Sequence, residues 1–340
     1  MPLHAEETHE KSSELNVKEL ILDHLADSYE WHITTVGEKH ISLPLPVILK
    51  GEEGFELFLS SKFHHGHDAY KGYYIASEGK YKGKIVKNDA NGNPLRPLDL
   101  SITKNACSLL LASLILTLII MLVTRFYRRQ KPGEYVAPKG FVGFMEMFIM
   151  NIHDDIIKPS VGKNYAKFAP YLLTVFFFIF TNNVLGLVPV FPGGANVTGN
   201  IAVTLVLALF TFVIVNVFGT KEYWREIFWP DVPTWLKVPI PIMPAIEFVG
   251  ILTKPFALMI RLFANILAGH SIVLGLTCLI FVTASMAPAI NHSMTVVSVL
   301  LGVFISLVEV LVAYIQAYVF TMLSAIFIGL AQAEPHHAKH

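Results

Sequence analysis

Between residues 168 and 220 the chain has no Asp, Glu, Lys or Arg. A run so long and apolar has no solvated face, and a helix crossing a hydrocarbon core of about 30 Å uses about 20 such residues. The run breaks at PVFPGGANVTGN (189–200), giving spans at about 171–188 and 201–218. Another uncharged stretch, about 106–124, is followed at once by Arg125, Arg128, Arg129 and Lys131. After a charged loop the chain turns apolar again and divides near Pro288, giving spans at about 246–285 and 290–330. Each of these is near 40 residues, too long for one perpendicular crossing, so strong tilt or a helix lying within the membrane is required. Residues 141–157 (FVGFMEMFIMNIHDDII) read as an amphipathic helix on the membrane surface. Composition agrees: 15% of residues are charged, against roughly a quarter in a soluble domain.

The formal net charge of zero hides an uneven distribution. Residues 1–104 hold 12 Lys/Arg and 16 Asp/Glu, and they form a polar N-terminal domain ahead of the membrane domain at 105–340. A helix is expected over 15–29. Strand-like runs follow at 41–49 and 55–59, then a hairpin over 72–87 and a turn at Asn91-Gly-Asn-Pro. This part reads as β-containing and weakly cored. Eight Lys/Arg lie in 125–169 and three in 219–245, while 189–200 and 285–295 hold none. Positive charge stays inside, so five spans put the N-terminal domain outside and the C-terminus in the cytoplasm. Residues 1–100 contain no apolar stretch of the signal-peptide kind, and the acidic start argues against a transit peptide. The expected fold is an all-α polytopic membrane protein with five membrane helices. Two long, strongly tilted helices form a hairpin, and a small polar, β-containing domain precedes the bundle.

Cys107 and Cys278 sit in apolar runs and behave as small hydrophobes. His64-His65-Gly66-His67 reads as an exposed loop rather than a metal site. No metal, cofactor or nucleic-acid partner is expected.

The informative residues are the charges inside the last apolar stretch. From 245 to 330 only Glu247, Lys254, Arg261 and Glu309 carry formal charge. An arginine at helix centre costs about 2.5–3.5 kcal/mol even on the lenient insertion scale, and guanidinium does not escape by deprotonating. Glu247, Lys254 and Arg261 are spaced by seven and share one helical stripe. Glu247 and Lys254 read as interfacial residues that snorkel. Arg261 has apolar neighbours on both sides. A buried Arg261–Glu309 pair is its structural reading, and an intramembrane functional cation is favoured. Asn265 shares its face, and Glu309 and Gln316 share a face of the last helix. The topology sorts these by depth into an outer pair, His270 and Glu309, and a deeper pair, Arg261 and Gln316. Proton or ion relays use such groups.

The run from Lys254 to His270 (KPFALMIRLFANILAGH) resembles the signature of the subunit a family of F-type ATP synthases. The stretch from Glu309 (EVLVAYIQAYVFTMLSAIFIGL) is similar to that family's last helix, and Asn182-Asn183-Val-Leu-Gly-Leu-Val-Pro189 to its second span. The resemblance covers residues 105–333. It implies an ion-conducting stator with no active site of its own, in a bacterial inner membrane. Its partners would be a c-subunit ring, peripheral-stalk b subunits, the other synthase subunits and the lipid bilayer. Arg261 would match the arginine that keeps passing c-ring carboxylates ionised and separates two offset half-channels. Gln316 and Asn265 would be its polar neighbours, His270 and Glu309 the exchanged acid–imidazole pair of the outer half-channel, and Asn183 a liner of the same path. Asn200 departs from the pattern, since many members have Asp there. Residues 1–104 match nothing in the family core, and the coupling ion, proton or sodium, stays open. A secondary transporter, or a non-rotary proton-translocating membrane subunit, is the alternative. Transporters usually show internal repeats, and the last two long segments have no counterparts in the first three.

Overall fold

The structure, a computed structural model, describes residues 26–36, 39–51, 54–66, 68–89, 92–131, 136–188, 191, 193–228, 242–283 and 288–332. The chain divides into two compact units. One comprises residues 27–268 with 307–340, the other 1–26 with 269–306. The helix expected at 15–29 falls mostly outside the described residues, and 26–29 run as non-helical chain.

The larger unit begins with short antiparallel strands. β1 (Glu30–Val36) pairs with β2 (Lys39–Pro44), with an irregularity between His32 and Thr34. β3 (Pro46–Gly51) lies between β4 (Gly54–Leu59) and β8 (Leu98–Asp99). β5 (Tyr73–Ile75), β6 (Ile85–Asn88) and β7 (Pro94–Leu95) form a third sheet. The period-2 alternation of β3 turns Val47 and Leu49 inward, each fully buried, as a half-buried strand requires. They meet Tyr29, Phe63, Tyr73 and Ile85 in a closed apolar cluster. The module therefore has a definite core, better formed than its polar composition suggests. On β4, Phe55, Leu57 and Leu59 face outward and are exposed.

The module runs directly into α1 (Lys104–Arg128). A helix leaves its first backbone N–H groups without partners, and here the module supplies them. Lys104 N–H donates to Ser28 O at 2.8 Å. Asn105 N–H donates to Asp27 Oδ1 at 3.0 Å and Ala106 N–H to the Thr103 hydroxyl oxygen at 3.4 Å.

α2 (Phe141–Asn151) leads through a π-helical turn (Ile152–Ile157) and a short α3 (Lys158–Val161) into α4 (Tyr165–Leu187). α5 (Ile201–Val217) meets α6 (Lys221–Phe228) at 99°. α7 (Ile242–Thr283) and α8 (Pro288–Ala331) are 42 and 44 residues long. Among the described residues, four helical runs are long and apolar enough to cross a membrane, or five if the bent α5–α6 pair forms one span. The core of this unit joins α1, the π-turn and α4 to α5, α7 and α8, with Leu172, Phe176, Ile179, Leu262 and Ala317 at its centre. Tyr314 of α8 sits among the rings of Phe148, Phe176 and Phe180.

The far end of α8 is clamped. Thr220 N–H donates to Ala331 O at 2.9 Å. The Gln332 amide donates to Phe218 O, and Asn164 donates to Gln332 Oε1 at 3.1 Å. In the smaller unit, Thr283 of α7 bonds Asn291 of α8 through its hydroxyl, 3.3 Å from Asn291 Oδ1, and Cys278 and Ser298 are buried.

Candidate functional site

The orientation of Arg261 follows from its neighbours on α7. Leu258, Leu262 and Ile266, at steps of four, are 2%, 1% and 8% exposed and belong to the core. A helix that turns this row inward turns the row at 257, 261, 264, 265 and 268 outward. Ala257, Arg261, Ala264, Asn265 and Ala268 are all exposed. Arg261 thus stands near the middle of a long apolar helix, beside Asn265, on a strip whose other members are alanines. Among the described residues none pairs with its guanidinium. The disfavoured alternative of a buried Arg261–Glu309 ion pair is absent among the described residues: Leu258 and Leu262 occupy the inner side of α7, and the arginine faces out.

On α8, Gln316 is 7% exposed, packed one residue from the fully buried Ala317. No hydrogen bond joins it to Arg261 among the described residues. Glu309 is half-buried, nearly two turns earlier. Asn183 of α4 is 3% exposed and ties three segments together. It donates through Nδ2 to Ala313 O of α8 at 3.3 Å and accepts at Oδ1 from the Thr198 hydroxyl at 2.6 Å. It therefore reaches α8 at the turn between Glu309 and Gln316. His270 is half-buried and belongs to the other compact unit.

The secondary candidates have identifiable contacts. Asn200 is the N-cap of α5, its Oδ1 accepting from Ala202 N–H at 3.0 Å. Lys254 lies over the Phe327 ring, 5.7 Å from its centroid, a cation–π contact between α7 and α8. Glu247 is half-buried. In the N-terminal module, His64 Nδ1 meets Asp68 Oδ2 at 2.5 Å; the His65 side chain and His67 lie outside the described residues.

The structure adds polar groups that spacing did not single out. Thr198, 1% exposed, is the partner of Asn183. Asn182, 3% exposed, donates to Phe178 O at 2.8 Å, and its Oδ1 has no partner among the described residues. Tyr171, Thr211 and Ser324 form a chain of hydroxyls at 2.9 and 3.3 Å across α4, α5 and α8. Hydroxyl residues scattered in apolar helices usually bond back to their own backbone, so a sequence gives no sign of which reach across. The NVTGN segment between two spans was the one available signal for Thr198.

A family model described as ATP synthase A chain matches residues 110–329. The chain belongs to that family. A subunit a from Chlorobium phaeobacteroides is 44% identical over 247 residues, covering 71% of this chain and 68% of that protein. One from Pelodictyon phaeoclathratiforme is 43% identical over 252 residues, covering 73% and 70%. One from Myxococcus xanthus is 42% identical over 247 residues, covering 71% and 76%. A second model, a domain of unknown function (DUF8433), matches residues 20–103. As an ATP synthase A chain, the protein is a multi-pass membrane subunit that serves proton translocation and ATP synthesis without an active site of its own. Neither a secondary transporter nor a non-rotary subunit is favoured.

Proposed function

We propose that the outward strip of α7 faces a rotating ring of c subunits and that Arg261 holds each passing carboxylate ionised while separating two offset half-channels. The observation behind this is a guanidinium exposed near the middle of a membrane helix, with no carboxylate partner among the chain's own described residues. A cation there is stabilised by an opposite charge brought against it, and alanines at 257, 264 and 268 allow another helix to approach closely. Asn265 and Gln316 serve as the polar neighbours of Arg261. His270 and Glu309 exchange protons in the outer half-channel, and Asn183 lies along that route; Glu247, Lys254 and Asn200 are secondary members. One charge crossing 100 mV yields about 2.3 kcal/mol, so several transfers must be summed by rotation to make one ATP. The stator is held by peripheral-stalk b subunits in a bacterial inner membrane, N-terminus outside and C-terminus cytoplasmic. α7 and α8 form a strongly tilted hairpin: at 1.5 Å per residue each is roughly 65 Å long, twice the hydrocarbon core.

The test replaces Arg261 by Ala or Gln in the assembled complex and measures ATP-driven proton pumping into membrane vesicles. Pumping is expected to fall to background with the complex still assembled. A rate near that of the unmodified complex overturns the reading.

A further inference from the structure

The N-terminal module, residues 27–103, buries one large aromatic outside its own core. Trp31 of β1 is 2% exposed, yet it does not join the cluster of Tyr29, Val47, Leu49, Phe63, Tyr73 and Ile85. It packs instead on Ala195 and Val197, with Cys107, Leu109 and Leu111 of α1 and Val203 of α5 around it. Phe191 meets its ring edge-on at 5.1 Å. Ala195 and Val197 are each 1% exposed. The segment 193–200 has no regular structure of its own to fix it. It is shaped by local bonds, such as Gly199 N–H to Asn196 Oδ1 at 3.0 Å, and by the indole lying on it.

The same segment bears Thr198, whose hydroxyl donates to Asn183, and Asn183 in turn donates to Ala313 O. A continuous series of contacts thus runs from Trp31 through Val197 to Thr198, Asn183 and α8. The module's end of this series is tied to the membrane helix, because Ser28, Asp27 and Thr103 bind the first N–H groups of α1.

We infer that the N-terminal module is a strut: through Trp31 it holds residues 193–200 so that Thr198 keeps Asn183 oriented toward α8. Trp31 is a positioning residue, and the inference rests on the reading that Asn183 lies along the outer proton route. Without the indole, the segment loses its cover, the Thr198–Asn183 bond becomes intermittent, and proton transfer along the outer route slows; its pH response changes through Glu309, which lies one turn before Ala313 on α8.

The test uses the assembled complex in vesicles, with Trp31→Ala, Trp31→Phe, Val197→Ala and Thr198→Val variants. In Trp31→Ala, amide hydrogen exchange over 193–200 is expected to rise about tenfold, as for a locally opened segment. ATP-driven pumping is expected to fall by up to about 100-fold, the cost of displacing a positioned group by about 1 Å, and its pH profile to shift. Thr198→Val is expected to shift the profile the same way, and adding Trp31→Ala to it to shift it no further, since both act through one contact. Trp31→Phe restores most of the rate. Should Trp31→Ala prevent assembly, Val197→Ala loosens the same contact from the other side and is read in the same two measurements. Unchanged exchange over 193–200, or a pH profile that does not move, overturns the strut. If Arg261→Gln still pumps, the proposed path itself fails; if it is silent while the Trp31 variants behave as unmodified protein, the strut alone fails.

Discussion

A Cβ at Gly329 would lie 2.0 Å from the Ser160 carbonyl oxygen and 3.0 Å from its carbon. Both are backbone atoms and have no rotamer to swing aside. Gly→Ala in a helix interior ordinarily gains about 1 kcal/mol of propensity, but overpacking costs about 1–3 kcal/mol, occasionally more. Because the obstacle is backbone, overpacking wins. Gly329→Ala is expected to lower the thermal unfolding temperature of the detergent-purified protein, and an unchanged temperature would show that α8 can shift away from Ser160. Nothing in the sequence separates Gly329 from Gly250, Gly275 or Gly302, which also sit in long apolar helices and meet nothing within 4 Å. Arg261 lies at the opposite extreme. A permanent charge among apolar neighbours is visible without coordinates, and only the direction it faces had to come from the packing of Leu258 and Leu262.

At the scale of elements, Asn200 shows how a site expectation and a structural duty coincide. Its side chain caps α5, and Asn and Asp are about equally good caps, while Ala loses about 1 kcal/mol. Asn200→Asp is therefore expected to leave the amount of assembled complex unchanged, and Asn200→Ala to reduce it, measured by native gel of solubilised membranes; equal loss in both would mean that a role other than capping dominates. The long helices were legible because an uncharged run of that length has one physical outcome in lipid. Residues 41–49 read as one strand but form two, β2 and β3, parted at Leu45, because Leu45 N–H bonds the buried Ser60 hydroxyl instead of a neighbouring strand. β1 went unread altogether. The alternation in EWHITTV is short, and its Trp31 is satisfied by a loop more than 160 residues away, a relation that local pattern does not contain.

Across the whole molecule, the N-terminal module has a pH limit of its own. Tyr29 is buried at 3% exposure and its hydroxyl donates to the Asp99 carboxylate. Burial first, then the Asp99 bond and its negative charge, raise this phenol well above its ordinary value near 10. A group whose folded pKa is raised stabilises the fold fully below its unfolded value and loses that contribution as pH climbs toward the folded one. The module's melting temperature, followed by tryptophan fluorescence of the purified protein, is therefore expected to hold to about pH 10 and decline above it. Tyr29→Phe is expected to melt earlier at neutral pH but with a flatter alkaline decline; an identical decline would assign it to another group. The module's core was poorly legible because its members, from Tyr29 to Ile85, are far apart in sequence and separated by lysines.

The clamp at the end of α8 bears on how the protein is handled. Gln332 and Ala331 are fastened to Phe218, Thr220 and Asn164, and Gly329 leaves no room beside Ser160. An affinity tag or fluorescent fusion that replaces residues 329–332 would cut into the packed core of the bundle.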